Sequence, residues 1–253
     1  SNGEPALVEG VHGKAVLLEK DYEEIYLKGL KDQDVQDAIS VSLWIKTPQK
    51  QKGTQVLIGN AGHKNTFWRG WDFYLESDNT LSLRFIHSLP HNLIHIRTQD
   101  SVKLNTWTHV AFTYDGGASA KSARLFVSGV QQPVRVVYDK LYKNIRPIAV
   151  GLVDGRKDPE NEIKQPLRVG KSYRSFTGDN GTFTGALDEL RVYGKAISSL
   201  EVAILADRTN PMAEQSLLID HAIRSASSIR SMEKERSNLI EKYISINDTI
   251  GEI

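Results

Sequence analysis

Apolar and polar positions alternate with a period of two through most of the chain up to about residue 196, the signature of strands that turn one face to a core. Ile39, Val41, Leu43 and Ile45 alternate with Ser40, Ser42, Trp44 and Lys46, which predicts a half-buried strand with Trp44 out of phase. Leu81, Leu83 and Phe85 alternate with Ser82, Arg84 and Ile86, and Trp71, Phe73 and Leu75 share one strand face. Val110, Phe112 and Tyr114 form another such face, with Thr108 a polar break on it. Asp78-Asn79, Asp115-Gly116-Gly117 and Ser128-Gly129 supply turn chemistry between the runs. At least ten such runs with almost no helical periodicity predict an antiparallel jelly-roll β-sandwich. The stretch 151–166 reads as a long polar loop.

Residues 183–193, Phe-Thr-Gly-Ala-Leu-Asp-Glu-Leu-Arg-Val-Tyr, read as a strand with two adjacent acids at its centre. Strict alternation puts Ala186, Asp188, Leu190 and Val192 on one face and Leu187, Glu189, Arg191 and Tyr193 on the other. One acid then points toward the core, where a carboxylate needs a cation or several donors.

The period changes after residue 197. Ser198-Ser199-Leu200-Glu201 fits a capping box and opens a short helix expected to end near Asp207. Asn210-Pro211 reads as N-cap plus first-turn proline of a second helix. No glycine or proline occurs from Met212 to Ile250, where Leu218, Ala222, Ile229, Met232, Leu239 and Tyr243 trace a roughly seven-residue stripe interrupted by Ser225 and Arg236. A helix of ~30 residues would be ~45 Å long, more than a small sandwich can cover. Three roles are open for it: a surface helix on the sandwich, half of a truncated helical hairpin, or a self-association element. The chain thus divides into a leader at 1–9, with Ser1-Asn2 read as a cloning scar, a sandwich at 10–207 and a helical extension at 208–253, expected to be cut from a larger protein.

Composition narrows the chemistry. The formal net charge is +1, and no basic stripe of the kind nucleic-acid binders carry is present. No apolar run approaches the ~20 residues of a membrane span. There are no cysteines, which excludes disulfides, thiolate metal sites, a cysteine nucleophile and covalent haem attachment within this chain.

The order of signals carries a resemblance. Gly13-Lys14-Ala15-Val16-Leu17-Leu18, Ile39–Lys46, Trp107-Thr108-His109-Val110-Ala111, Thr113-Tyr114-Asp115-Gly116, Leu125-Phe126-Val127-Ser128-Gly129, Leu167-Arg168-Val169-Gly170 and Gly185–Tyr193 together resemble a laminin-G-like domain of the concanavalin A-like lectin/glucanase superfamily over roughly residues 10–206. Leu83–Asn92 and Ile229–Arg236 further resemble the laminin-G-like insert, and its following helix, of large bacterial proteins that pair a planctomycete-type cytochrome C domain with domains of unknown function. Ser128 stands where the family often has Asp, and Glu19-Lys20-Asp21 where it often has Phe-Asp-Gly. The resemblance implies a non-catalytic module that recognises carbohydrate outside the cytoplasm. The alternative it leaves open is a structural insert docking on other domains of a cytochrome C-containing parent.

Catalysis of the superfamily's glucanase kind needs two carboxyl groups ~5 Å apart, on the Glu-x-Asp-x-x-Glu spacing that the resemblance implies for such enzymes. In the Gly185–Tyr193 strand that spacing is absent, since Asp188 and Glu189 are adjacent and fall on opposite faces, and no Gly-x-Ser-x-Gly elbow occurs in the chain. The resemblance places Asp188 at a Ca²⁺ ion, helped by carbonyls near Gly13 or Glu19; the other reading has Asp188 accepting backbone N–H bonds or pairing with an arginine such as Arg168. His87, His91 and His95 recur at a spacing of four around Pro90, on strands rather than on one helix face. For sugar binding, which needs an aromatic platform beside planar polar groups, Trp68 with Arg69, Asp72, Arg84 and His87 is the expected groove.

Overall fold

The structure is a computed structural model; it describes residues 5–20, 23, 25–27, 29–30, 32–49, 53–62, 67–146, 166–173 and 181–250. Two sheets face each other. The first runs in the order β1 (Ala6–Glu9), β2 (Lys14–Leu18), β15 (Gly185–Tyr193), β4 (Ile39–Lys46), β9 (Thr108–Tyr114), β10 (Ala123–Val127), β11 (Val130–Gln131). The second runs β12 (Val134–Lys140), β8 (Asn92–Ser101), β7 (Thr80–Ser88), β6 (Gly70–Leu75), β5 (Gln55–Gly59), β13 (Leu167–Val169), β3 (Ile25–Leu27). Neighbours along both orders are antiparallel, and the short β14 (Gly181–Thr182) adds a parallel pairing to β5. The chain is therefore mainly β, a sandwich of two antiparallel sheets with C-terminal helices, in agreement with a concanavalin A-like jelly roll. The expected loop at 151–166 lies, except for Pro166, outside the described residues.

The core is where the alternation put it. Ile39, Val41, Leu43 and Ile45 meet Trp71, Phe73, Leu83, Phe85, Val110 and Phe112 between the sheets. Phe112 is edge-on to Trp71 and Phe73 at centroid distances of 5.5 and 5.1 Å, a favoured aromatic geometry. Yet β4 and β9 are buried on both faces, not one. The cause is helix α1 (Ser199–Leu205) over the outside of the first sheet: its Val202 and Leu205, with Ile197 just before it, pack on Ala111, Phe126 and Tyr193.

Strand β15 departs from strict alternation. Its pairing with β4 shifts between Asp188 and Arg191, and Glu189 takes a left-handed φ of 50°. This bulge resets the phase: Leu187, Leu190 and Val192 all join the core, whereas the sequence pattern had split them between faces.

At the C-terminal end the capping box forms as expected. The Ser198 hydroxyl accepts from the Glu201 N–H at 3.2 Å and the Glu201 carboxylate accepts from the Ser198 N–H at 2.7 Å. Asn210 does not cap a second helix. It is left-handed at φ 50° and makes no side-chain cap bond, and Pro211 opens only a 3₁₀ turn; an N-cap needs extended backbone. Nor is the tail one helix: it is α2 (Gln215–Ser225) and α3 (Ser227–Asp248), broken at Ala226, which is extended at ψ 132°. Asp220 of α2 accepts from the Ser199 N–H at 2.7 Å and from Arg124 at 3.0 Å, which ties α2 to the start of α1. Helix α3 closes one end of the sandwich, with Ile244 buried in the main core and Ile240 beside it.

Candidate functional site

The residues singled out from the sequence fall in the second sheet. Asp72 and Arg84 are register partners on β6 and β7 and face away from the core. Asp72 is fully buried there, and the Arg84 guanidinium lies 4.1 Å over the Tyr74 ring. The same face holds a polar network. The Tyr74 and Ser82 hydroxyls donate to one oxygen of Glu76 at 3.0 and 2.8 Å, and His95 Nε2 sits 3.0 Å from the Tyr74 oxygen. Burial pushes the Glu76 carboxyl up, but hydrogen bonds from His95, Ser82 and Tyr74 outweigh it and hold the group at about 2. Burial pulls His95 below its ordinary value and pushes Tyr74 above its own.

Arg69 and His87 lie at the end of the same strand pair, but alternation along β7 turns His87 to the side opposite Arg84. Arg69 Nη2 donates to His87 Nε2 at 3.0 Å. Because arginine can only donate, Nδ1 of His87 carries the proton and donates to the Asn144 carbonyl at 2.6 Å. His87 is thereby held as a neutral tautomer that links two loops. Trp68 is half-buried and packs with Leu89 and Tyr138 on Ala61, Ile86 and Leu93. The five residues therefore sit in three local settings. Among the described residues no group of three His, Asp or Glu is placed to hold a metal ion.

Asp188 is met by backbone donors. One oxygen accepts from Val11 N–H at 2.7 Å and His12 N–H at 3.1 Å, and the other from Glu189 N–H at 2.8 Å. Arg168 is in the other sheet, over the rings of Tyr26 and Tyr173. A calcium ion wants six to eight oxygens. Here both carboxylate oxygens face the positive ends of N–H groups, so the donor set does not fit that ion. Glu189 pairs with Arg191.

A cleft of about 560 Å³ opens elsewhere, at the end of the first sheet between β2, the end of β4 and the start of β15. Its wall carries Trp107 with Asn105, Lys46, Glu9 and Glu19, over a floor that includes Leu18 and Ala186. Trp107 is half-exposed just before β9, and Asn105 is set by its N–H bond to the Thr47 carbonyl at 3.1 Å. The sequence reading used Trp107 only as a marker of the fold. Its signal was an isolated tryptophan outside the alternating run; apart from Asn105, the neighbours named here come from segments about sixty to a hundred residues away.

A two-sheet jelly roll with a rim cleft and a helix over one face defines a concanavalin A-like β-sandwich. The chain belongs to the family Laminin_G_3, concanavalin A-like lectin/glucanases superfamily, whose signature matches residues 21–159. A search of the curated proteins found no match. Among solved structures, the binding domain of Paraclostridial Mosquitocidal Protein 1 is similar at 17% identity and a TM-score of 0.54, over 80% of this chain and 45% of that one. The botulinum neurotoxin serotype G binding domain is similar at 12% identity and 0.54, over 80% and 44%. A carbohydrate-binding module (CBM40) of the Ruminococcus gnavus IT-sialidase, bound to α2,3-sialyllactose, follows at 14% identity and 0.47, over 73% and 96%. The chain spans less than half the length of the two toxin chains, and these likenesses are likenesses of fold.

Proposed function

We propose that this chain is a non-catalytic carbohydrate-binding module that works outside the cytoplasm, and that the glycan docks at Trp107. The observation that carries this reading is the cleft itself. Its volume lies in the range of ligand pockets, and it sets an accessible indole beside an amide, an ammonium and two carboxylates. Sugar rings stack on such an aromatic face while their hydroxyls take planar polar partners. The outer face of the second sheet at Arg84 and His95, braced by the buried Asp72 and flanked by Trp68 and the Arg69–His87 pair, is the second surface on which a glycan would rest.

A glycan array followed by affinity electrophoresis tests both surfaces. Trp107→Ala should weaken binding at least tenfold, equivalent to about 1.4 kcal/mol, while Arg84→Ala leaves it unchanged. The reverse result moves the site to the second sheet. No binding by the wild-type chain sinks the carbohydrate reading. A second reading, a module that docks on protein, such as other domains of a cytochrome C-containing parent, is favoured by one observation: α2 leaves Ile219 and Ile223 in solvent.

A further inference from the structure

The outward side of α3 carries Met232, Leu239, Tyr243 and Ile246, continued by Ile250 just past its end, and these are 63, 59, 52, 65 and 58% exposed. They lie on one stripe, since steps of seven, four and three residues return to the same side of a helix. The opposite side is fixed to the sandwich. Ile244 is buried in the core, Ser237 donates to the Gln36 carbonyl at 3.0 Å, and Lys143 donates to the Ile250 carbonyl at 2.5 Å. Asn144 and Asp248 bond at 2.7 Å, and Arg236 pairs with Asp115 at 3.0 Å. The helix cannot roll to hide the stripe.

We propose that the stripe is covered by the same stripe of a second copy, in an antiparallel helix pair about a two-fold axis. Three features select that occupant. First, four of the five, Met232, Leu239, Tyr243 and Ile250, are spaced seven, four, seven, a sequence that reads the same in both directions, and Ile246 then falls opposite Arg236 of the other copy. A two-fold near Glu241 therefore sets Met232 against Ile250 of the other copy and Leu239 against Tyr243, as a self-complementary patch requires. Second, Ser227–Asp248 holds four basic residues (Arg230, Lys234, Arg236, Lys242) and four acidic ones (Glu233, Glu235, Glu241, Asp248). Its net charge is zero, so two copies meet without net repulsion. That same neutrality disfavours a lipid surface, which selects helices rich in Lys and Arg. Third, all five side chains are more than half exposed and contiguous, an apolar row of the kind that marks a protein contact.

The proposal stands apart from glycan binding, which is read out at Trp107. Because the chain has no cysteine, Met232→Cys and Ile250→Cys each introduce a single thiol at an exposed position. Under mild oxidation a mixture of the two variants should give a disulfide-linked heterodimer, while either variant alone stays largely unlinked, its equivalent thiols being about 27 Å apart along the pair. Analytical ultracentrifugation should show a concentration-dependent dimer, and Tyr243→Glu should weaken it at least tenfold with an unchanged melting temperature. A wild-type chain that stays monomeric to several hundred micromolar overturns the proposal. So does a dimer that links Met232→Cys to itself, or one that Tyr243→Glu leaves intact.

Discussion

Gly10 and Asp188, far apart in the chain, are in such close approach that a β-carbon on Gly10 would lie 2.4 Å from Asp188 Oδ2. The contact lets the turn after β1 lay the Val11 and His12 N–H groups on that carboxylate. Asp188→Ala leaves those donors without their acceptor, and the loss should be about 1–3 kcal/mol. Gly10→Ala should destabilise in the same direction by forcing the turn away. Urea unfolding of both variants measures the effect; a change within error for both would show that the turn is held by something else.

Calcium should leave the fold indifferent. A ligand at a hundred times its Kd stabilises by ~2.7 kcal/mol, so a melting temperature that rises on moving from chelator to excess Ca²⁺ would contradict the reading of Asp188 as a backbone acceptor.

Acid should weaken the fold at Glu76 and Asp220. Both end at about 2: burial raises each, but hydrogen bonds from His95, Ser82 and Tyr74 to Glu76, and from Ser199 N–H and Arg124 to Asp220, outweigh it. A carboxyl depressed in the folded state gives stability that is present in full above its unfolded value and is lost as pH falls through its folded one. The unfolded values are 4.5 and 3.8, so the window runs from about pH 4.5 down to about pH 2. The Glu76 share is on the order of 3 kcal/mol. Urea titrations across that range should show the decline, and Glu76→Gln should flatten its part of it.

The two sides of α3 should respond differently to truncation. Ile244 is 3% exposed, and Ile244→Ala should cost about 2–4 kcal/mol. Met232→Ala, on the open side, should stay within about 0.5 kcal/mol in dilute solution. Equal effects in thermal melts would mean that α3 is seated in another rotation.

Much of the sandwich was legible because its central strands bury one face completely. The alternation at Leu81–Phe85 and at Ile39–Ile45 followed from that, and Ser198 with Glu201 declared the start of α1. What escaped had no local mark. The bulge at Glu189 uses a left-handed residue that is not glycine, and the break at Ala226 involves neither glycine nor proline. The seven-residue stripe was seen, but a pattern of apolar residues does not say which side is covered. Met232, Leu239 and Tyr243 face solvent, while Ile240 and Ile244 enter the core. The Trp107 cleft was hidden for a different reason: it gathers Glu9, Lys46, Asn105 and Gly185, and only the tertiary fold brings those together. The aromatic cluster near Trp68, by contrast, is contiguous in the sequence.

The place of β15 between β2 and β4 has a consequence for how this molecule comes into being. Those early strands do not pair with each other; each waits for a strand that begins at Gly185. As the chain is synthesised, the first sheet stays split, with two apolar edges open, until residues near 193 have emerged. Long-range pairing of this kind makes folding slow and leaves the unfinished chain prone to association. Helix α1 follows within six residues of that strand, so the sheet is covered almost as soon as it can be completed.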